Sequence, residues 1–406
     1  MGWRCLVCDT MTGQVVAPID IPSLRWTLTV SDCSMSTTRD KGTGEGEATG
    51  LQVPWSAVPA TDAYGRSRML ASYRRAIALA WEHRDGTLSP VVFGAIGSRT
   101  DTWDDTSFDL VSPLSLLGSR VLVREGAFGH GDPAGTTQGG MSYAGLSRRA
   151  IACAVGQACT DYKPGGALPI DWQYQGEAGG HSASYPGHDV ANNTCKGIWT
   201  ALANSDGGPD IQLRPYMADE SHVRLLMCAG SDGAPYLGQD SPVRTIAAFR
   251  GGGTAQDVRV AFAAPTMRVY ATGAGSDEAQ LCSLAEDLSL CNDPYDPWPL
   301  VEQACALSDD EDAGTLAGHA RARLESVRAP MAQVQCTVHL GDPAGISPGD
   351  VWPGQMLDLV TEGFPTLPDG AHRMRLMQME GDESEDCTLT FDVIADPTYK
   401  PGGMGA

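Results

Sequence analysis

The chain of 406 residues carries 50 Asp and Glu against 28 Lys and Arg, a formal charge of −22. That balance argues against nucleic-acid recognition through neutralised phosphates, which needs a stripe of Lys and Arg; Arg74-Arg75 and Arg148-Arg149 are isolated pairs. A hydrophobic content of 42% excludes wholesale disorder, and 19% charged residues beside 48 Gly and 26 Pro predict a turn-rich, mainly β chain of about two to four domains.

The chain opens on a hairpin pattern, residues 4–8 and 14–18 around a turn at 9–13, followed by an alternating strand over 25–30. A Gly- and charge-rich link (39–50) leads to a short strand at 51–53, and 54–68 reads as irregular. Residues 75–82 and 91–96 form the clearest hairpin, because Asp85-Gly86 supplies the positive φ that a tight turn requires. Residues 107–123 carry one or two strands broken near Pro113, and 126–141 reads as loop.

Leu146, Ala150, Ile151, Ala154, Val155 and Ala158 share one face of a helix expected between 142 and 160. A loop rich in Gly and aromatics fills 162–188. Asp189 is then the expected N-cap of a second helix bearing Val190, Thr194, Cys195, Ile198, Trp199 and Leu202 on one face, stopped by Gly207-Gly208.

Strands are expected at 211–214, 223–227, 257–262 and 267–271, one or two helical turns at 298–307, and a helix at 315–327. The acidic run 309–312 precedes that helix, where carboxylates offset its macrodipole. The last quarter alternates with period two over 333–340, 353–360, 373–380 and 387–394, the pattern of half-buried antiparallel strands.

The domain boundaries expected are an N-terminal β-barrel-like domain (1–141), an inserted α+β domain (142–235), a mixed connecting domain (236–328), a C-terminal β-barrel-like domain (329–397) and a flexible tail (398–406). No leader is read at the N-terminus, and no apolar run approaches the ~18–20 residues of a spanning helix. The twelve cysteines are scattered, several on apolar faces, and most are expected to be reduced and buried in a cytoplasmically folded protein.

Chemistry-bearing patterns are sparse. Cys5-x-x-Cys8 lacks the second pair of a zinc ribbon, and strand pleating sends the two thiols to opposite faces. Ser142, in Gly140-Met141-Ser142-Tyr143-Ala144, has Ala144 where a nucleophile elbow needs Gly. His181, His188 and Asp189 bracket the 160–190 loop and could serve acid–base or metal chemistry in a cell-wall or carbohydrate hydrolase. Trp172, Tyr174 and Tyr185 could stack on sugars in a carbohydrate-binding protein. The 309–320 segment departs from a calcium loop at Ala313 and Ala320, and the glycine runs 42–46 and 251–253 lack the Lys and strand–turn–helix setting of a phosphate loop. No catalytic, cofactor or metal residue is assigned, and no cofactor is expected.

Four stretches carry a resemblance: residues 6–15 followed by Trp26; 191–214 with Trp199-Thr200-Ala201-Leu202 and Gly207-Gly208-Pro209-Asp210-Ile211; Trp298-Pro299-Leu300-Val301-Glu302 and the helix after it; and 351–357 with 373–376 and 388–391. In this order of elements the chain resembles the hub proteins at the tip of tailed-phage tails. These are the tail-associated "minor tail protein" group of siphophages, similar in architecture to the baseplate hub of contractile phages. The resemblance implies a non-enzymatic virion protein, assembled in the host cytoplasm as a homotrimer with two tube-type β-barrels per chain. Its ring would continue the tail tube and pass DNA without specific binding. The partners implied are the distal tail or tail tube protein, the tape measure protein, and tail fibre or spike proteins. An acidic lumen would keep phosphates from sticking. Residues 54–73 and 162–188 are longer than the pattern needs, as binding or assembly loops often are.

Overall fold

The computed structural model describes residues 2–37, 50–128, 139–205, 207–239, 242–276, 279–294, 296–307 and 312–395. The glycine run 42–46, the loop centred on 129–135, residues 309–311 and the tail 398–406 lie outside them. The fold is mainly β, and the chain divides into two compact units. Unit 1 comprises Met1–Ile246, Thr337–Asp358 and Arg375–Leu389; unit 2 comprises Ala247–Cys336, Leu359–Met374 and Thr390–Ala406.

The centre of unit 1 is a six-stranded sheet built from β1 (Gly2–Asp9) and β2 (Val15–Ile19), then, after β3 (Arg25–Thr29) and β4 (Cys33–Ser36), from β5 (Leu51–Pro54), β6 (Arg75–Glu82), β7 (Leu88–Asp101) and β8 (Asp105–Val111). Its order is β2-β1-β6-β7-β8-β5. Both expected hairpins are present, with Cys5 opposite Ile19 and Ala76 opposite Ala95. Seven of the eight residues of β6 are buried, because layers cover both faces of the sheet.

Two stretches read as non-helical are helices. In α1 (Ala63–Met69) the Asp62 carboxylate accepts from Gly65 N, and in α2 (Pro113–Gly118) Ser112 accepts from Ser115 N. Pro113 sits at the first helical position, where its missing N–H costs nothing, so it starts a helix where a broken strand was expected.

One face of the sheet is covered by helices. Leu6, Cys8, Ala76, Ala78, Phe93 and Ala95 pack in a single core with Ile151, Val155 and Cys159 of α3 (Arg148–Cys159) and Cys195, Ile198 and Trp199 of α4 (Cys195–Ala203). Before α3 runs β9 (Met141–Leu146), and between the helices run β10 (Ile170–Asp171) and β11 (Ala178–Tyr185); β12 (Ile211–Asp219) and β13 (His222–Ala229) follow as a long antiparallel pair.

Toward the other face, β3 and β4 pack against β7 and β8. There Trp3 lies between Trp26 and Trp81 at centroid distances of 5.1 and 5.0 Å.

Beyond β13 come β14 (Arg244–Phe249), β15 (Gly252–Gly253), β16 (Ala255–Ala263), β17 (Arg268–Thr272), β18 (Cys282–Glu286) and β19 (Glu302–Ala306). Residues 298–307 were expected to turn helically, but β19 pairs in parallel with β17, Val269 opposite Gln303. Alternation of exposed Glu302, Ala304 and Ala306 with half-buried Gln303 and Cys305 is the strand signal in that segment.

In unit 2, β18-β17-β19 form a small sheet backed by α5 (Ala313–Val327), whose Leu316, Ala320 and Leu324 pack on Val269, Ala271 and Ala285. Asp312, the last residue of the acidic run, caps α5 by accepting from Thr315 N at 2.7 Å.

The last quarter forms the expected strands: β20 (Met331–His339), β21 (Met356–Glu362), β22 (Gly370–Asp382) and β23 (Asp386–Phe391), with the short β24 (Ile394–Ala395). The second begins three residues later than its alternation suggests, because Gly354 takes a turn conformation (φ +98°). In unit 1, the C-terminal part of β22 pairs antiparallel with β3, Gln378 opposite Thr29 and Asp382 opposite Arg25. The ion pair Arg375–Asp210 ties the same strand to the start of β12, and the Arg375 guanidinium stacks 4.4 Å from the centroid of Tyr236. No helix is long and apolar enough to cross a membrane among the described residues.

Candidate functional site

The 160–190 segment is more ordered than a loop. β11 pairs antiparallel with β9, Tyr185 opposite Met141 and Ser184 opposite Ser142. The expected first helix therefore loses its first turn to a strand and starts at Arg148. Ser147 is its N-cap, accepting from Ala150 N at 3.1 Å and donating to Glu177 Oε2 at 2.7 Å. Glu177 in turn holds Arg149 in a fork, at 2.5 and 2.6 Å, and that hydrogen-bonded partner draws the Glu177 carboxyl below its ordinary pKa. The second helix starts five residues later than expected, with Thr194, expected inside the helix, rather than Asp189 as its cap. Asp189 lies in a short 3-10 turn and accepts from Asn192 Nδ2 at 2.7 Å.

The candidate residues do not converge as chemistry. Ser142 Oγ bonds Ser184 Oγ at 2.9 Å across the β9–β11 pair, so no base activates it in that contact. His181 Nε2 lies 3.4 Å from Asp232 Oδ2, a half-exposed pair, while His188 stands in the 3-10 turn with Asp189. Among the described residues, no three His, Cys, Asp or Glu side chains are grouped to hold a metal ion.

The aromatic candidates are spent on packing. Trp172 meets Trp199 edge-to-face at 6.3 Å and donates to Asp161 Oδ2 at 3.0 Å. Tyr174 has the Arg149 guanidinium over its ring at 4.5 Å and accepts at its hydroxyl from Ala229 N at 3.1 Å. Tyr185 meets Tyr143 edge-on at 6.3 Å. All three pack against the core that α3 and α4 share with the sheet.

The Cys5-x-x-Cys8 thiols are separated by the pleat. Cys8 joins the core on the helix side, Cys5 does not, and burial pushes both thiols up to about 12, Asp20 adding to the effect at Cys5 and Asp9 at Cys8. Ligation or redox chemistry at neutral pH needs a thiolate, which both sites oppose.

Two surface features were missed by the reading of the sequence. Residues 62–75 hold four Arg and one Asp in an otherwise acidic chain, a signal that local charge counting would have found. Trp103, at the β7–β8 turn, is 98% exposed. Its neighbours Asp101, Asp104 and Asp105 mark a turn, but sequence does not tell a buried indole from a presented one.

No protein-family model matches the chain, and no curated protein matches it. Among solved structures it is similar to a tail protein from Neisseria meningitidis MC58, at 13% identity over 96% of each chain with a TM-score of 0.46. It is similar to the 43 kDa tail protein of prophage MuSo2 from Shewanella oneidensis, at 10% identity over 96% of this chain and 98% of that one, TM-score 0.46. It is also similar to a chain of the phage P2 baseplate in its activated conformation, at 8% identity over 98% and 100%, TM-score 0.38. These three are named as two tail proteins and a baseplate component.

Proposed function

We propose that the chain is a structural hub of a phage tail tip, without an active site of its own, that works as a homotrimeric ring continuing the tail tube. In this reading the N-terminal strands and the closing strands are tube-type, barrel-like wall units. The ring connects the tail tube and tape measure proteins to distal fibres or a spike, and DNA passes through it during ejection. The observation that supports it most is the β3–β22 ladder, in which Arg25–Thr29 of the first strand set is hydrogen-bonded to residues 378–382 of the last. Chain ends that share one ladder make a continuous wall, and a wall is what a ring subunit needs. The charge of −22 suits a lumen that repels phosphate.

Electron microscopy of the purified full chain tests the proposal. Rings with threefold symmetry and a central channel are expected, and single particles without a channel would overturn it. A ring whose channel is lined by Lys and Arg would sink the part of the account that concerns DNA.

A further inference from the structure

Residues 62–75 run against the charge of the chain. Asp62 is used up as the α1 cap, and Arg75 is buried and paired with Asp9 at 2.8 Å. Arg68 and Arg74 are exposed, and the same segment exposes Tyr64 (76%) and Tyr73 (55%). A cavity of about 400 Å³ opens here, lined by the apolar Val16, Pro59, Ala60 and Met69 and by the charged Asp62, Arg68 and Arg75, of which Asp62 is taken by the α1 cap and Arg75 by Asp9.

Unit 1 also carries a piece of opposite character. At the β7–β8 turn Trp103 stands free between Asp101, Asp104 and Asp105. The turn is fixed: Thr102 N donates to Asp105 O at 2.8 Å, Thr102 Oγ1 donates to Asp105 Oδ1 at 2.8 Å, and Trp55 Nε1 donates to Thr102 O at 2.9 Å. A rigid turn that presents a whole indole to water forgoes the burial of roughly 150–250 Å² of aromatic surface. Aromatic anchors on preorganised elements are what dominate protein interfaces. Arg99 Nη1 donates to Leu70 O at 2.9 Å, which holds the strand below this tip against the end of α1.

We propose that Trp103 of one copy seats in the cavity at residues 59–69 of a second copy, with Asp104 facing Arg68 and Arg74, while Asp101 stays paired with Arg99 of its own chain at 2.9 Å. At 98% exposure the indole does not fill the cavity of its own chain, so the seat is open to another's. The charges match across the pair: an acidic tip meets the basic segment of an acidic protein. Two different patches allow the contact to repeat head-to-tail, the type that closes into rings, as well as to pair reciprocally in a dimer. This contact rests on the ring reading above and supplies its joint.

The test replaces Trp103 by the photocrosslinker p-benzoylphenylalanine in the full chain and irradiates a mixture of ¹⁵N-labelled and unlabelled protein, with peptide mapping by mass spectrometry. Crosslinks from position 103 to peptides within 59–75 of the other-isotope copy are expected. Trp103→Ala and Arg68→Glu, each checked for native circular dichroism, are expected to weaken self-association at least tenfold, and Asp104→Arg combined with Arg68→Asp to regain most of it. A wild-type trimer whose mass is unchanged by Trp103→Ala overturns the joint and leaves the hub reading standing. A dimer or open chain crosslinked 103 to 59–75 supports the joint and overturns the trimer. A wild-type monomer, or crosslinks only to nucleic acid or to another protein, overturns the joint.

Discussion

Trp26 and Gly381 are register partners across the β3–β22 ladder, and they touch. A methyl group at Gly381 would lie 2.9 Å from Trp26 Cζ2 and 3.0 Å from the Asp386 carbonyl oxygen. The indole is 1% exposed and cannot swing into solvent without uncovering the ladder.

Gly381→Ala is therefore expected to destabilise unit 1 by about 1–3 kcal/mol, the range for overpacking a well-filled site. The midpoint of urea unfolding followed by tryptophan fluorescence reads it. Gly318→Ala is the contrasting case: it sits exposed in α5 with nothing within 4 Å of a new methyl, and should stabilise unit 2 by about 0.5–1 kcal/mol through helix propensity. A neutral Gly381→Ala would contradict the ladder.

Ser147 serves two partners at once, the α3 N-terminus and Glu177. Ser147→Ala removes the cap and leaves Glu177 with Arg149 alone. A loss of about 1–2 kcal/mol is expected in the same unfolding experiment. Ser147→Thr should keep most of the stability.

The thiols should react in order of burial. Cys282 is exposed, whereas Cys5, Cys8, Cys153, Cys159, Cys195, Cys336 and Cys387 are buried. Burial also raises the Cys336 thiol to about 12. Brief alkylation of the native protein with iodoacetamide at pH 8, read by peptide mass spectrometry, should label Cys282 first. The buried seven should label only under denaturant. Early labelling of Cys5 or Cys8 would mean that β1 is not the covered strand described above.

His339 bridges Asp386 through Nδ1 at 3.0 Å and Glu385 through Nε2 at 3.2 Å. Its hydrogen bond to Asp386, with the charges of Asp386, Glu385 and Asp342, raises its pKa above the ordinary 6.5. A raised folded value means that the stabilising contribution is complete below pH 6.5 and disappears as pH climbs through the raised value. The pair is exposed, so the effect is small. Wild-type Tm should fall slightly more than that of His339→Gln between pH 6 and pH 8, in scans at low salt.

Strand positions were most legible where one face is buried and the other is not, because period-two alternation reports the pleat directly; residues 223–227 and 333–340 are cases. Helix starts were less so. Asp189 and Thr194 are both competent caps, and only the packing of Cys195, Ile198 and Trp199 into the core decides between them. The 142–146 segment shares apolar residues with the helix after it, so its pairing with 182–185 is a tertiary fact that periodicity does not carry. The same holds for β3: its alternation predicts a strand, but its partnership with β22, about 350 residues away, comes from the fold.

Among the candidate site residues, aromatic type suggested a sugar platform at Trp172, Tyr174 and Tyr185. The structure spends those rings on packing, which composition alone does not distinguish from display. Trp103 is the converse case, a tryptophan in an acidic turn that the fold leaves uncovered.

The mass of the purified full chain by sedimentation equilibrium, over a range of protein concentrations at physiological salt, tests the hub account most directly. The account predicts a species of three times the 42.8 kDa chain. A monomer at every concentration would contradict it.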